Sequence, residues 1–130
     1  MSRFHQENSI YVSQIILKVT NLETSLRFYK EIMGFKSLEE ETDKAILTVD
    51  GINPLITLTE PKSVIPKQNR RTGLYHIAIL LADRVKLGLL LRNINENKYP
   101  IIGGSNHGVS EAIYLQDPDD NGIEIYADTP

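Results

Sequence analysis

The sequence contains no cysteine, which excludes disulfide bonds and thiolate metal sites. Any metal must therefore be held by imidazole, carboxylate or amide oxygen. Long apolar segments are also missing, because the longest one, residues 77–82, is far too short to span a bilayer. The opening stretch MSRFHQENSIYV lacks the apolar core of a signal peptide. Together these absences favour a cytoplasmic protein.

A strong excess of charge of one sign is absent as well. The 130 residues include 14 Lys and Arg and 17 Asp and Glu, so the formal net charge is -3. This balance gives no general electrostatic reason to bind nucleic acid or an anionic membrane. The composition, 41% hydrophobic and 24% charged, is ordinary for a globular protein. A chain of this length can bury a real hydrophobic core, and we predict a single domain over residues 1–130.

Apolar periodicity and capping residues predict the elements of the first half of the chain. A strand is expected at about 12–19, where β-branched and aliphatic residues dominate. Asn21 is expected to cap a helix over 22–33, which Gly34 ends. Three further strands are expected at about 36–40, 45–49 and 55–60.

The same pattern is predicted again after a polar, proline-bearing loop at 61–71. A strand is expected at 74–82, and Asp83 is expected to cap a helix over 85–95. The stretch YPIIGGSNHG predicts a strand with a glycine-rich exit. Two more strands are expected at 112–115 and 123–127.

An internal repeat relates the two halves. The stretch QIILKVTN, which begins at residue 14, aligns with HIAILLAD at an offset of 62, and LITL aligns with GIEI at an offset of 67. Each half is therefore a βαβββ unit, one at about 10–60 and the other at about 72–128. Because one unit alone leaves a sheet with a bare face, we predict an α+β fold of two tandem modules. Their curved mixed sheets are expected to surround a cleft.

The repeat also groups four polar positions. Gln14 and His76 head equivalent first strands, whereas Thr57 and Glu124 lie midway along equivalent last strands. If the sheets curve toward each other, these side chains converge, and imidazole, carboxylate and amide oxygen suit a divalent metal. The alternative is that His76 is a hydrogen-bonded core residue and Glu124 faces solvent. The spacing alone does not choose between these two interpretations.

Two further residues and one turn bear on the same cleft. His107, in SNHGVSEA, is expected in the loop before the seventh strand, as a general base, a substrate donor or a solvent-facing residue. Tyr126 shares the face of Glu124. The stretch DPDDNG predicts a hairpin turn in which Asn121 and Gly122 supply positive φ. Its interpretation as a calcium loop is disfavoured because the EF-hand spacing is absent.

Longer motifs resemble a known superfamily. VTNLETSLRFYKEIMGF resembles the opening of vicinal oxygen chelate proteins, which include glyoxalase I, fosfomycin- and bleomycin-resistance proteins and extradiol dioxygenases. GLYHIAILLADR and HGVSEAIYLQDPDDNGIEIYAD are similar to the N-terminal half of bacillus-type catechol 2,3-dioxygenases. The resemblance covers nearly the whole chain, and its last motif is long and specific.

The resemblance implies which residues hold a metal. Its metal-binding positions correspond to Gln14, Thr57, His76 and Glu124, and the last two match the usual ligand types. Glutamine replaces the commoner histidine at Gln14 and is implied as a weaker third ligand. Because threonine is a poor ligand, Thr57 is left, with Tyr126, for contact with substrate. The implied cofactor is a divalent metal: Fe(II) in a dioxygenase, and otherwise Ni(II), Zn(II) or Mn(II).

Two functions follow from the resemblance. One is a metal-dependent enzyme, an oxidoreductase of the dioxygenase type or a lyase of the glyoxalase type, acting on a small substrate with adjacent oxygens. His107 would be the catalytic base in that enzyme. The other is a non-catalytic module that binds a small molecule or drug, as the bleomycin-resistance relatives do. The resemblance also implies a homodimer in which Gln14 of one subunit faces His76 and Glu124 of the other.

Overall fold

The structure is a computed structural model that describes residues 14–62, 76–106, 108 and 110–128, and of His76 it describes the backbone. The loop predicted at 61–71 lies outside the described residues beyond its first two positions. None of the helices in the described part of the chain is long and apolar enough to cross a membrane.

The first module contains one four-stranded mixed sheet. Its strand order is β1-β4-β3-β2, in which β1 pairs parallel with β4 and the other pairs are antiparallel. The elements are β1 (Ile15–Lys18), α1 (Leu22–Arg27), a π-helical segment (Phe28–Ile32), β2 (Lys36–Glu40), β3 (Lys44–Thr48) and β4 (Pro54–Thr59).

The second module repeats this topology. Its strand order is β5-β8-β7-β6, in which β5 pairs parallel with β8 and the other pairs are antiparallel. The identical order confirms the predicted α+β fold of two tandem βαβββ modules. The elements are β5 (His76–Leu80), α2 (Arg84–Glu96), β6 (Gly103–Asn106), β7 (Ser110–Gln116) and β8 (Gly122–Asp128).

The first helix occupies the predicted range 22–33 but changes type partway along it. Asn21 caps its start, because its side chain accepts a hydrogen bond of 2.9 Å from the Thr24 amide. From Phe28 the helix widens, and the amide of Met33 donates to the Phe28 carbonyl five residues earlier. Phe28 and Tyr29, at the start of this segment, are both buried in the core. The predicted helix over 22–33 is therefore present through Ile32, as a short α-helix followed by a π-helical segment.

The second helix begins as predicted, but the strand that follows it is displaced. Asp83 accepts a hydrogen bond of 2.9 Å from the Lys86 amide and so caps α2. The strand predicted in YPIIGGSNHG is formed by residues 103–106, the part that was expected to be its glycine-rich exit. These residues pair with β7. Close approach favours glycine at Gly104, where a Cβ would lie 3.3 Å from the Ala112 carbonyl oxygen.

The hairpin turn between β7 and β8 forms, but with different backbone angles from those predicted. Positive φ occurs at Asp120, with φ of 62°, rather than at Asn121 and Gly122. Aspartate tolerates the left-handed region better than most residues, which allows this arrangement. The buried carboxylate of Asp117 closes the turn by accepting hydrogen bonds of 2.9 Å from the amides of Asp119 and Asn121.

Alternate residues of the strands form one core cluster that includes residues of both modules. In β8, Ile123, Ile125 and Ala127 are buried, whereas the residues between them are half-buried on the opposite face of the sheet. The half-buried face of β8 therefore carries Glu124 and Tyr126, and the apolar face packs against α2.

Polar contacts join the two modules on the helix side. The Tyr29 hydroxyl donates to Asp117 Oδ2 at 2.7 Å, and the Thr20 hydroxyl donates to Asp119 Oδ1 at 2.6 Å. The amide group of Asn93 donates to two carbonyls at the end of the π-helical segment, at 2.8 and 2.9 Å. The first helix is thus tied both to the last hairpin turn and to α2.

Candidate metal centre

Gln14 and Thr57 lie close together in the first module. Gln14 immediately precedes β1 and is exposed, and Thr57 in β4 is buried. In the parallel register Ile16 lies beside Thr57, and residues two apart along a strand share a face. Ile16 is 69% exposed, so this face of the first sheet is open beside Thr57.

His76 and Glu124 lie on neighbouring strands of the second module. His76 is the first residue of β5 and pairs with Gly122, two residues before Glu124 along β8. Glu124 itself lies beside Ala78. The backbone therefore brings residue 76 to the strand adjacent to Glu124, whereas the side chain of His76 lies outside the described residues.

Glu124 is held by a hydrogen bond that the sequence analysis missed. It lies directly opposite Tyr114 of β7, and the Tyr114 hydroxyl donates to Glu124 Oε1 at 3.0 Å. The Ser105 hydroxyl, on β6, lies 3.2 Å from the Tyr114 hydroxyl. Alternation in β7 could have placed Tyr114 on a face opposite Ile113 and Leu115, but its partner on β8 depends on the strand register.

The face of β8 that carries Glu124 is acidic. Burial raises the pKa of Tyr126, and the negative charges of Asp128 and Glu124 raise it further. The Oδ2 atom of Asp128 is buried and has no hydrogen-bond partner in the described part of the chain. A carboxylate on such a face is a suitable ligand for a divalent cation, because the surrounding negative charge favours cation binding.

The described side chains do not by themselves complete a metal centre. Among them, no group of three His, Cys, Asp or Glu residues is positioned to hold a metal. The imidazoles of His76 and His107 are outside this description, and the described side chains of the predicted set are Gln14, Thr57, Glu124 and Tyr126. The structure thus brings His76 and Glu124 together on neighbouring strands and leaves Gln14 in the other module.

These features define a two-module βαβββ protein with a candidate metal-binding face on its second sheet. The chain belongs to the Glyoxalase/Bleomycin resistance protein/Dioxygenase superfamily, whose family model matches residues 11–125. This match confirms the family resemblance found in the sequence motifs.

Individual relatives differ in length and named activity. A catechol-2,3-dioxygenase of Bacillus subtilis is 44% identical over the whole chain, and the chain spans 45% of that protein. A metallothiol transferase FosB of Staphylococcus epidermidis is 29% identical, with 91% of this chain and 82% of that protein covered.

Solved structures share the fold along most of their length. A glyoxalase/dioxygenase from Nostoc punctiforme has a TM-score of 0.75 and 25% identity, covering 96% of this chain and all of that one. A lactoylglutathione lyase from Agrobacterium tumefaciens has a TM-score of 0.71 and 15% identity, covering 93% and 96% of the two chains. The second likeness shows the fold alone.

Proposed function

We propose that the protein is a metal-dependent enzyme of the vicinal oxygen chelate type, similar to ring-cleaving dioxygenases, acting on a small substrate with two adjacent oxygens. The observation that carries the proposal is Glu124, midway along the last strand, with its carboxylate held by Tyr114 and with His76 heading the adjacent strand. The 44% identity to a catechol-2,3-dioxygenase supports the dioxygenase type, although the chain spans 45% of that relative.

The proposed ligands are His76, Glu124 and, more weakly, Gln14. When bound, a divalent metal supplies Lewis-acid polarisation of the two substrate oxygens, and Fe(II) also supplies redox chemistry with dioxygen. Glu124 contributes negative charge that attracts the cation. The Tyr114 hydroxyl keeps one carboxylate oxygen in a fixed position, as partners of metal ligands normally do.

The remaining predicted residues act on the substrate in this proposal. Tyr126 lies two residues beyond Glu124 on the same strand face, where its ring contacts the substrate. Thr57 contributes a hydroxyl from the first module. His107, which follows β6 in the sequence, accepts the proton of a substrate hydroxyl as general base.

The proposed active form is a homodimer. Gln14 precedes β1 in the first module, and Glu124 lies on β8 in the second. A second copy would bring Gln14 of one subunit to His76 and Glu124 of the other. The large exposed area of Ile16, beside Thr57, is the apolar surface that such pairing would cover.

A second candidate is an enzyme that adds or rearranges groups without dioxygen. The relationship to FosB favours it, because that relative is matched over 82% of its length, so a chain of this size accounts for most of it. A glyoxalase-type lyase or a thiol transferase would use the same ligands with Mn(II), Ni(II) or Zn(II). The non-catalytic drug-binding alternative would retain the cleft without turnover.

The activity test compares the wild type with one variant of Glu124. Protein loaded with Fe(II) without air is mixed with catechol and dissolved dioxygen, and oxygen consumption and ring-cleavage absorbance are recorded. We expect turnover in the wild type and at least about a 100-fold loss in Glu124→Gln, which keeps the size but removes the charge. Turnover of methylglyoxal–thiol adducts instead would favour the second candidate. Tight binding of small molecules with no turnover of either substrate would overturn the enzyme proposal.

A further inference from the structure

We propose that Ser105 is a positioning residue for the metal site and acts on Glu124 through Tyr114. The inference rests on the proposed function, because it assigns Glu124 as a metal ligand. Three hydroxyl and carboxylate groups form an unbroken line across the sheet: Ser105 Oγ lies 3.2 Å from the Tyr114 hydroxyl, which lies 3.0 Å from Glu124 Oε1.

The direction of the hydrogen bonds follows from counting protons. An ionised carboxylate only accepts, so the single proton of the Tyr114 hydroxyl is directed to Glu124. The oxygen of Tyr114 can then only accept from Ser105, whose hydroxyl must be the donor. Hydrogen bonds in such a chain polarise one another, so the serine strengthens the bond from tyrosine to glutamate.

Strand register explains why the line forms. Tyr114 is on β7, between Glu124 on β8 and Ser105 on the edge strand β6. Gly103 lies opposite Tyr114, and Ala112 lies opposite Ser105. Because neither residue has a side chain beyond Cβ, the space between the serine hydroxyl and the phenol ring is not filled from these positions.

The hydrogen bonds from Ser105 to Tyr114 and from Tyr114 to Glu124 affect how Glu124 would bind a metal. One carboxylate oxygen, Oε1, is engaged by the phenol, which favours coordination through a single oxygen. Without Ser105, Tyr114 loses the donor that fixes its hydroxyl, and the phenol can rotate away from Glu124. We therefore expect the Glu124 carboxylate to be more mobile and the metal affinity to be lower, while the fold is unchanged.

The test measures binding of Mn(II), detected by the electron paramagnetic resonance signal of the free ion, in the full chain. We expect Ser105→Ala to weaken Mn(II) affinity about 3- to 10-fold, less than the loss typical for a direct partner of a ligand. Tyr114→Phe should weaken it about 10- to 100-fold. Ser105→Thr, which keeps the hydroxyl, should restore affinity to within about 2-fold of the wild type. The double variant should match Tyr114→Phe alone, because serine acts only through tyrosine.

A matched control comes from the other module. Ser37 lies on the edge strand β2, and its hydroxyl donates to Glu40 Oε2 at 2.6 Å. Ser37→Ala should leave Mn(II) affinity unchanged, and thermal melting should show that every variant is folded.

The outcomes separate this inference from the function on which it rests. Equal affinity of the wild type and Ser105→Ala, with a loss in Tyr114→Phe, would overturn the role of Ser105 and leave the proposed function standing. Additive losses in the double variant would show that serine acts by another route and would also overturn it. A wild type that binds no Mn(II), Fe(II), Ni(II) or Zn(II) would remove the proposed function itself.

Discussion

At the scale of single residues, the buried pair of Tyr29 and Asp117 offers the clearest test of what joins the modules. The hydroxyl and carboxylate are 2.7 Å apart, and Asp117 is 3% exposed. Tyr29→Phe removes a charge-assisted donor from a buried carboxylate, which we expect to lower the free energy of unfolding by about 1.5–3 kcal/mol. Urea unfolding of the variant measures this loss.

Tyr99→Phe is a suitable control, because the Tyr99 hydroxyl donates to a neutral acceptor, the exposed Gln116 carbonyl. A loss of less than about 1 kcal/mol is expected there. If the two variants lost equal free energy of unfolding, the hydrogen bond of Tyr29 would contribute no more to stability than that of Tyr99.

The same tyrosines predict how stability depends on alkaline pH. Burial and the nearby Asp117 charge raise the pKa of Tyr29 well above its usual value of 10.0, and burial raises the pKa of Tyr99 to about 12. Because each pKa is higher in the folded state, the protonated tyrosines contribute fully to the free energy of unfolding below pH 10. This contribution is lost as the pH rises above that value.

Unfolding free energies measured from pH 8 to pH 11.5 should therefore be level at first and fall above about pH 10. In Tyr29→Phe the fall should be shallower, because one of the groups no longer titrates. A variant with the same alkaline slope as the wild type would show that Tyr29 does not contribute to the pH dependence.

At the scale of secondary-structure elements, substitution by alanine is expected to have opposite effects on stability at two glycines of the second module. Gly88 lies inside α2, and an added Cβ would meet nothing within 4 Å. Gly88→Ala should therefore stabilise the protein by up to about 1 kcal/mol through helix propensity. Gly104→Ala should destabilise it, because the new Cβ would lie 3.3 Å from the Ala112 carbonyl.

Thermal melting of the two variants checks this pair of expectations. An increase in melting temperature for Gly88→Ala and a decrease for Gly104→Ala is the predicted result. A stabilised Gly104→Ala variant would mean that β6 moves away from β7 readily enough to accept a methyl group.

The elements also show which parts of the fold a sequence can predict. Asn21 and Asp83 marked both helix starts, because caps are local and need only a few neighbouring residues. The internal repeat indicated the topology, because equivalent strands have equivalent apolar patterns. The apolar pattern predicted a helix there but not its π-helical geometry, because a change to i→i+5 hydrogen bonding leaves no distinct apolar period over five residues.

The residues of the candidate site also differ in whether the sequence could predict them. The repeat selected Glu124 and His76 by their positions in equivalent strands, and the register brings these strands together. Tyr114 and Ser105 were missed because their relation to Glu124 requires the pairing of β6, β7 and β8, which a single sequence does not specify. Positive φ at Asp120 was missed because glycine and asparagine neighbours offered an equally plausible turn.

At the scale of the whole molecule, the proposed homodimer depends on the open face of the first sheet. Ile16→Glu would place a charge in the contact and should convert a dimer to a monomer at micromolar concentration in sedimentation experiments. Ile52→Glu is the control, because Ile52 is 77% exposed but lies in the turn between β3 and β4. A wild type that sediments as a monomer while binding metal would contradict the proposed arrangement.

The central claim, that this chain holds a divalent metal through His76 and Glu124, is tested most directly by His76→Ala. Metal stoichiometry by elemental analysis and melting temperature are measured together for the wild type and the variant. We expect about one transition metal per wild-type site, loss of that metal in the variant, and a largely unchanged fold in the metal-free proteins. A strongly destabilised variant, from a wild type that carries no metal and binds none on titration, would contradict it and would show that His76 serves packing.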